Sequence, residues 1–176
     1  MLKLTDVNKK YRNNFVLKNA NLTIEKGKLY LFVGDNGSGK STTIKLISKV
    51  IFKNSGGQIN NEFEKIIYLP DKCSYPNLIY VKSYLDMYLN KTVSLNDITN
   101  KMKEYNLENK MIGSLSKGMY QKLGILQMLL SNAELYIFDE PLNGLDKSSI
   151  IKFKADIKKM IENGKTIIIS THSRMS

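Results

Sequence analysis

The residues with the clearest chemistry form a glycine-rich stretch, GDNGSGKS, at residues 34–41. The stretch fits the pattern G-x-x-x-x-G-K followed by Ser or Thr, with an apolar run before it and helical spacing after it, as a phosphate-binding loop requires. Glycines let backbone N–H groups turn toward phosphate oxygens, Lys40 can reach the β- and γ-phosphates, and the Ser41 hydroxyl can ligate Mg²⁺. A glycine-rich turn without function is the alternative, and the flanking elements favour the phosphate loop.

Two adjacent carboxylates follow a second apolar run, LYIF, at residues 135–138. Asp139 ends that run, so its carboxylate is expected at the carboxyl edge of a parallel sheet, where α/β proteins bind ligands. There Asp139 can bind Mg²⁺ through water, and Glu140 can polarise an attacking water. A strand end followed by a turn would also give the letters DEP, but the phosphate loop upstream favours the catalytic interpretation.

The only histidine, His172, lies just after a third apolar run, TIIIS, at residues 166–170. A lone histidine is often structural. Here the run should end at the same sheet edge, and an imidazole N–H would stabilise charge on a transferring phosphoryl group. We therefore predict that His172 contacts the γ-phosphate.

A further anion site is indicated by GSLSKGMYQK at residues 113–122. Ser114 or Ser116 can cap a helix whose apolar stripe continues through Met119 and Leu123. A helix start with a serine hydroxyl, a glycine and free N–H groups can also bind a phosphate.

Composition limits the function classes. The chain has 176 residues, of which 42% are hydrophobic and 24% charged, a single cysteine (Cys73) and a formal charge of +11. This favours one folded α/β domain without disulfides, and no apolar run approaches the roughly 18 residues of a membrane span. We expect a cytoplasmic protein. The lysines are scattered, so a dedicated nucleic-acid surface is not expected.

The elements that position these residues can be read from the pattern of apolar positions. Residues 2–7 and 15–24 predict two antiparallel strands joined through the polar KKYRNN, while 28–34, 65–70, 135–140 and 166–170 predict strands of a mainly parallel sheet. The run 28–34 is expected to be buried on both faces. Helices are predicted after the phosphate loop, over 148–163 with Gly164 as the stop, and within an insertion at about 71–130, where Asn96 is the expected cap of one helix.

The ordered set of motifs resembles an ABC-type ATPase subunit: GDNGSGKS, LSKGM (115–119), LYIFDEP (135–141), NGLD (143–146) and ISTHS (169–173). The resemblance covers nearly the whole chain. It implies a P-loop NTPase core with a mainly parallel sheet, an N-terminal antiparallel β subdomain and an inserted α-helical subdomain in a single domain. It also implies ATP and Mg²⁺ as cofactors and ATP hydrolysis as the activity.

The resemblance assigns roles residue by residue. Ser116 and Gly118 would bind the γ-phosphate held by a second ATPase subunit, so that two ATP molecules lie in a head-to-tail dimer, and Asp146 would lie at the dimer junction. Tyr11 would stack on adenine, unless it is only a strand or turn tyrosine, and Asp71 occupies the position of the metal-sensing glutamine. The implied catalytic residues are Glu140, His172 and Lys40; the implied metal ligands are Ser41, Asp139 and Asp71; the implied nucleotide contacts are Tyr11, Gly34, Asp35, Asn36, Gly37, Ser38, Gly39, Lys40, Ser41, Thr42, Ser116, Gly118 and Asp146.

A transmembrane permease subunit is the expected partner, which would place the chain at the inner face of the cell membrane. Helices within 71–112 would dock on the permease through five apolar and aromatic residues: Tyr75, Leu78, Tyr80, Tyr84 and Met87. The alternative is that these residues are core of the helical insertion. The segment YPNLIYVKSYLDMY and the signature followed by QKLGI are similar to the exporter-like branch, which includes drug and bacteriocin self-protection systems.

Three departures from the family pattern are visible. Lys117 and Met119 replace a glycine and a glutamine of the signature, and Asp71 is shorter than the glutamine that it replaces. The sequence also stops four residues after His172, where such domains usually continue, so either the sequence is truncated or the subunit is reduced. A soluble ABC ATPase acting on nucleic acid or ribosomes, and a catalytically weak subunit of a heterodimer, stay as alternatives.

Overall fold

The computed structural model describes residues 1–54 and 56–172, and in this part of the chain the strands form two sheets. The strands are β1 Leu2–Tyr11, β2 Asn14–Ile24, β3 Leu29–Val33, β4 Gln58–Asn61, β5 Ile66–Leu69, β6 Leu135–Asp139 and β7 Thr166–Thr171. The helices are α1 Lys40–Ile47, α2 Val81–Tyr88, α3 Leu95–Glu104, α4 Lys117–Leu130 and α5 Lys147–Glu162. The expectation about a continuation after His172 lies outside the described residues.

The antiparallel sheet has the strand order β2-β1-β4. Leu2 pairs with Ile24, and Tyr11 pairs with Asn14, so β1 runs through most of the polar segment that the sequence predicted to be the turn. The turn itself is only two residues, and Arg12 takes a positive φ of 53° there. β4 was not predicted because its sequence, QINN, is short and polar.

The parallel sheet has the order β3-β7-β6-β5 and brings the predicted chemistry to one edge. β7 pairs in parallel with β3 and β6, with Thr171 opposite Val33 and Ser170 opposite Asp139. Every residue of β6 and β7 is buried, which explains their continuous apolar runs. Because the carboxyl ends of parallel strands meet at one edge, the phosphate loop, the acidic pair and His172 follow neighbouring strands there.

The prediction that β3 is buried on both faces is wrong. Leu29, Leu31 and Val33 are 43%, 42% and 46% exposed, whereas the alternating residues Tyr30 and Phe32 are partly buried. The exposed residues alternate with the partly buried ones, so one face of β3 is covered and the other is not. In the described part of the chain β3 also lies at the edge of its sheet. An apolar run does not tell a strand that is covered on one face from a strand that is covered on both.

The chain divides into two compact units. The first contains the described residues within 1–68, 133–140 and 159–172. In its core, Ile44, Leu46 and Ile47 of α1 pack in one cluster with buried aliphatic residues of β1, β6 and β7. Each such side chain contributes about 1.5–3 kcal/mol on full burial, so this core anchors the helix that follows the phosphate loop.

The second unit contains residues 69–132 and 141–158, and its described secondary structure is helical. A buried polar network joins α3 to α5: the Tyr105 hydroxyl donates to Asp156 at 2.8 Å, and Lys101 Nζ contacts the other Asp156 oxygen at 2.7 Å. Burial raises the pKa of Tyr105, and Asp156 adds to the effect, so the phenol stays a donor. No helix in the described ranges is long and apolar enough to cross a membrane.

The cap of α3 differs from the prediction. Ser94, not Asn96, precedes the helix, and the Ser94 hydroxyl accepts the N–H of Asp97 at 3.1 Å. Asn96 is the second helical residue and is exposed. Two cap-forming residue types occur within three positions, and the sequence alone does not decide between them.

We expect Ser94→Ala to destabilise the protein by about 1 kcal/mol, because an N-cap hydroxyl satisfies an N–H that is otherwise without a partner in the helix. Urea unfolding monitored by circular dichroism measures this. Asn96→Ala is the matched control and should change the midpoint little. Equal losses in the two variants would contradict the assignment of the cap.

Candidate functional site

The phosphate loop joins β3 to α1 in the first unit. Gly37 and Gly39 take left-handed φ values of 85° and 91°, which residues with a Cβ rarely adopt. A methyl group on Gly39 would also lie 2.8 Å from a side-chain carbon of Leu17. Gly39 is therefore required both by its backbone conformation and by its packing.

The start of α1 carries free backbone donors. Gly39 is the N-cap and has no side chain to cap the helix, and no acidic residue lies in the first turn. The N-terminal N–H groups and the helix dipole therefore favour an anion at this point. Lys40 Nζ lies beside the same loop, where it donates to the carbonyl oxygens of Gly34 and Asp35, the latter at 3.0 Å.

Asp139 lies at the carboxyl end of β6 and is only 3% exposed. Its carboxylate accepts hydrogen bonds from three hydroxyl groups, those of Ser170 at 2.5 Å, Tyr68 at 3.3 Å and Ser41 at 3.4 Å. A buried carboxylate needs such partners, because water no longer solvates it. The Ser41 contact brings together the two residues that the sequence predicted as metal ligands.

Glu140 follows directly and is also buried, at 9% exposure. Its φ of 52° is uncommon for a residue with a side chain, and such conformations cluster at functional sites. The Glu140 N–H donates to Ser170 Oγ at 3.0 Å. This backbone conformation turns Glu140 away from the regular strand that ends at Asp139.

His172 contacts the side chain of Glu140. Nε2 lies 3.0 Å from Glu140 Oε1, and the imidazole side chain is 45% exposed. The sequence predicted that both residues lie at the same sheet edge, but not that they contact each other. A carboxylate at this distance from an imidazole can hold the ring in place.

The donor set at this edge fits Mg²⁺. Magnesium prefers oxygen ligands and is usually held by one or two protein groups together with substrate phosphates and water. Ser41 and Asp139 provide a hydroxyl and a carboxylate 3.4 Å apart, next to the phosphate loop. Among the described residues no cluster of three or more His, Cys, Asp or Glu side chains forms an all-protein metal site.

Tyr11 is the last residue of β1 and is 48% exposed. Lys9 Nζ lies 5.1 Å from the centre of its ring. An exposed aromatic ring in the first unit is available for stacking, and nothing in the fold requires it as core.

The predicted second anion site lies in the second unit, at the start of α4. Ser116 is its N-cap, and its hydroxyl accepts the N–H of Met119 at 3.3 Å. Of the two serines proposed as cap, Ser114 instead belongs to a short 3-10 turn. Lys117 is exposed at the first position of α4, and no acidic side chain lies in the first turn.

The segment 141–146 is attached to α4 at three points. Gln121 Nε2 donates to the Pro141 carbonyl at 3.2 Å, and Lys122 Nζ contacts Asp146 at 2.7 Å. Between them Gly118 approaches Gly144 so closely that a methyl group on Gly118 would lie 2.5 Å from the Gly144 carbonyl oxygen. The position of this segment therefore depends on the start of α4.

Asp146 caps α5 in addition to its contact with Lys122. Its carboxylate accepts from the Ser148 hydroxyl at 2.6 Å and from the Ser149 N–H at 2.8 Å. The hydrogen bond from Lys122, together with those from Ser148 and Ser149, lowers the pKa of Asp146. Because its pKa is lower in the folded protein, Asp146 stabilises the fold at pH values above its pKa in the unfolded chain, about 3.9. This stabilisation is lost as the pH falls through the lower pKa of the folded state.

Asp71 lies in the second unit, where its carboxylate accepts from Asn143 Nδ2 at 3.2 Å. Both residues line a cavity of about 510 Å³ together with Lys72, Cys73, Leu115, Lys117, Tyr120 and Gln121. Burial raises the pKa of the Cys73 thiol, so it stays protonated. The mixed charge of this lining does not by itself specify a ligand.

The five expected docking residues fall into two groups. Leu78, Tyr80 and Met87 are 91%, 53% and 66% exposed. Tyr75 and Tyr84 instead pack edge to face with centroids 5.3 Å apart, and the Tyr84 hydroxyl donates to Gln127 at 3.0 Å. Only the first group is available to a partner.

Sequence reasoning missed Ser170, Tyr68 and Lys122. Each contacts an acidic residue that is 24 to 71 positions away. Ser170 could have been found from the parallel register of β6 and β7, because it lies opposite Asp139. No sequence signal of comparable strength identifies Tyr68.

The chain is similar to ATP-binding proteins of one family. The family model described as ABC transporter matches residues 17–143. A cytochrome c biogenesis ATP-binding export protein of Reclinomonas americana is 36% identical, over 93% of this chain and 81% of the relative. A lantibiotic transport ATP-binding protein of Streptococcus pyogenes is 32% identical, over 98% and 80%.

A solved structure described as an ABC transporter ATP-binding protein from Pyrococcus furiosus has the same fold. It superposes with a TM-score of 0.85 and 29% identity, over 99% of this chain and 92% of that one. The predicted fold class, an α/β P-loop NTPase with an antiparallel sheet and inserted helices, is confirmed.

We expect Gly118→Ala to destabilise the second unit by about 1–3 kcal/mol, the usual cost of overpacking, because the added methyl group would collide with the Gly144 carbonyl. Thermal unfolding measures the loss. Lys117→Ala changes the neighbouring exposed residue and should leave the melting temperature unchanged. A fully stable Gly118→Ala protein would show that the close approach to Gly144 is not required.

Proposed function

The chain belongs to the ABC transporter family, in which it is an ATP-binding and ATP-hydrolysing subunit, and on that premise we propose that it powers a separate transmembrane protein. Two such subunits would close head to tail around two MgATP molecules. In this proposal both compact units belong to a single ATPase domain. The observation that carries the proposal is the juxtaposition of Ser41, Asp139, Glu140 and His172 at one edge of the parallel sheet.

The phosphate loop would hold the ATP phosphates. The N-terminal N–H groups of α1 and the Lys40 ammonium provide the positive charge, and the left-handed glycines allow the backbone to approach the phosphates. The remaining residues of the loop, Asp35, Asn36, Ser38 and Thr42, would contribute backbone or side-chain donors. Exposed Tyr11 would stack on the adenine ring.

Ser41 and Asp139 would hold Mg²⁺, which when bound neutralises charge on the phosphates. Glu140 would take a proton from the attacking water, since its buried carboxylate lies at the same edge. His172, 3.0 Å from Glu140, would orient that carboxylate and donate toward the γ-phosphate.

A second ATPase subunit would supply the other half of each site. Ser116 and the helix dipole of α4 form an anion-binding start that has no acidic residue in its first turn. The three contacts between α4 and the segment 141–146 would place Gly118 and Asp146 together at the dimer junction. Asp71, which Asn143 holds, would sense the metal only indirectly.

The membrane partner would contact the exposed apolar residues that precede and line α2, namely Leu78, Tyr80 and Met87. Apolar and aromatic side chains of this kind are typical anchors of protein interfaces. The chain would therefore act in the cytoplasm, attached peripherally to the inner face of the membrane. Similarity to a lantibiotic transport protein supports an exporter-like system of the drug or bacteriocin self-protection type.

We expect Glu140→Gln to hydrolyse ATP about 10²- to 10⁴-fold more slowly, the usual contribution of a general base. Binding of MgATP should be retained, because the phosphate loop and the metal ligands are unchanged. Phosphate release gives the rate, and titration with a fluorescent ATP analogue gives the affinity. Unchanged turnover would remove Glu140 as the base.

Recovery of the membrane partner tests the transporter function. The tagged chain is expressed in its own cells, the membranes are solubilised in mild detergent, and the proteins that co-purify are identified. We expect a multi-span membrane protein, and we expect Leu78→Asp to abolish its recovery because a charge at a 91% exposed anchor opposes apolar docking.

The matched control for this experiment is Ile151→Asp, since Ile151 is a 70% exposed apolar residue on α5. It should leave recovery of the partner unchanged. Recovery of nucleic acid or ribosomes, without any multi-span protein, would contradict the transporter function and favour a soluble ATPase.

A further inference from the structure

We propose that Ser170 is a positioning residue for both acidic groups of the site: its hydroxyl fixes the orientation of the Asp139 carboxylate and anchors the backbone of Glu140. The inference rests on the proposed function of these two residues in MgATP hydrolysis. It adds a role for a side chain on β7 that belongs to neither the phosphate loop nor the acidic pair.

The hydrogen bonds of Ser170 have compatible directions. The hydroxyl donates its single hydrogen to Asp139 Oδ1 at 2.5 Å and accepts the Glu140 N–H at 3.0 Å. A serine hydroxyl has one donor and two acceptor positions, so both contacts can exist at once. Ser170 is fully buried, at 0% exposure, and water therefore does not compete for either bond.

The contact with Glu140 supports an unusual backbone conformation. Glu140 has a φ of 52°, and a residue held there needs support from its surroundings. Ser170 holds the N–H of Glu140, while His172, the residue directly after β7, contacts its carboxylate at 3.0 Å. The carboxyl end of β7 and the residue after it therefore contact both the backbone and the side chain of the proposed base.

The contact with Asp139 is the shortest of the three that its carboxylate receives. Tyr68 and Ser41 donate at 3.3 Å and 3.4 Å, and the Ser41 oxygen is itself a proposed ligand of Mg²⁺. Ser170 is not one of the proposed metal ligands, and it lies on the neighbouring strand in register with Asp139. Side chains that orient metal ligands typically change metal affinity or activity 10- to 100-fold when they are removed.

The experiment compares Ser170→Ala with Ser170→Thr, which keeps the hydroxyl. For each protein, Mn²⁺ binding in the presence of a non-hydrolysable ATP analogue is followed by electron paramagnetic resonance, and kcat and KM for ATP are measured separately. We expect Ser170→Ala to weaken Mn²⁺ binding and to lower kcat by about 10- to 100-fold, with metal-free ATP affinity unchanged. Ser170→Thr should keep both Mn²⁺ affinity and kcat within a few-fold of the unsubstituted protein.

Thr166→Val is the matched control. Thr166 is also buried on β7, at the opposite end of the strand, and its hydroxyl also accepts a backbone N–H, that of Gly27 at 2.8 Å. Its removal should lower the melting temperature without changing Mn²⁺ binding or kcat. If Thr166→Val reduces both as strongly as Ser170→Ala does, the role of Ser170 is only structural and the proposal is overturned.

Unchanged Mn²⁺ binding and unchanged kcat in Ser170→Ala would also overturn the proposal that Ser170 positions the two acidic groups. If Ser170→Ala does not fold, Ser170→Cys fills similar space with a weaker hydrogen-bonding group and is judged by the same two results. Failure of the proposed roles in hydrolysis is distinguishable, because Glu140→Gln would then retain full turnover. A failure of this inference alone leaves Glu140→Gln about 10²- to 10⁴-fold slower, as expected for loss of a general base.

Discussion

The buried carboxylate of Asp139 is the group on which the arrangement of the first unit depends. A carboxylate that is only 3% exposed is costly to leave without partners. Its partners come from three elements, α1, β5 and β7, so these must all reach the end of β6. The strand order β3-β7-β6-β5 meets this requirement, because it places β5 and β7 on either side of β6.

The same constraint explains why the chemistry is concentrated at one edge. The phosphate loop follows β3, His172 follows β7 and Glu140 follows β6, and parallel strands end on the same side of their sheet. In the second unit the corresponding constraint is the close approach of α4 to the segment 141–146. There Gly118 lies against Gly144, and Lys122 pairs with Asp146, so these contacts fix the position of the segment against the start of α4.

Local patterns in the sequence predicted much of this, because phosphate loops, buried strands and helix starts are specified by neighbouring residues. The cap at Ser116, the strand that ends at Asp139 and the positive φ of Gly164 at the end of α5 are of this kind. The exposure of β3 depends on its place in the sheet, which an apolar run does not encode. The roles of Ser170 and Tyr68 depend on strand register and on long-range packing, so a motif search passes over them.

The dependence of ATP hydrolysis on protein concentration most directly tests whether two subunits share each ATP site. In the proposed dimer, the phosphate loop and acidic pair belong to one subunit and the start of α4 to the other, so that neither copy completes a site alone. At saturating MgATP, the rate per chain should therefore rise steeply as the purified protein is concentrated, and then level off once dimers form. A rate per chain that stays constant over the whole range would show that each chain hydrolyses ATP by itself, and would contradict a site shared between two subunits.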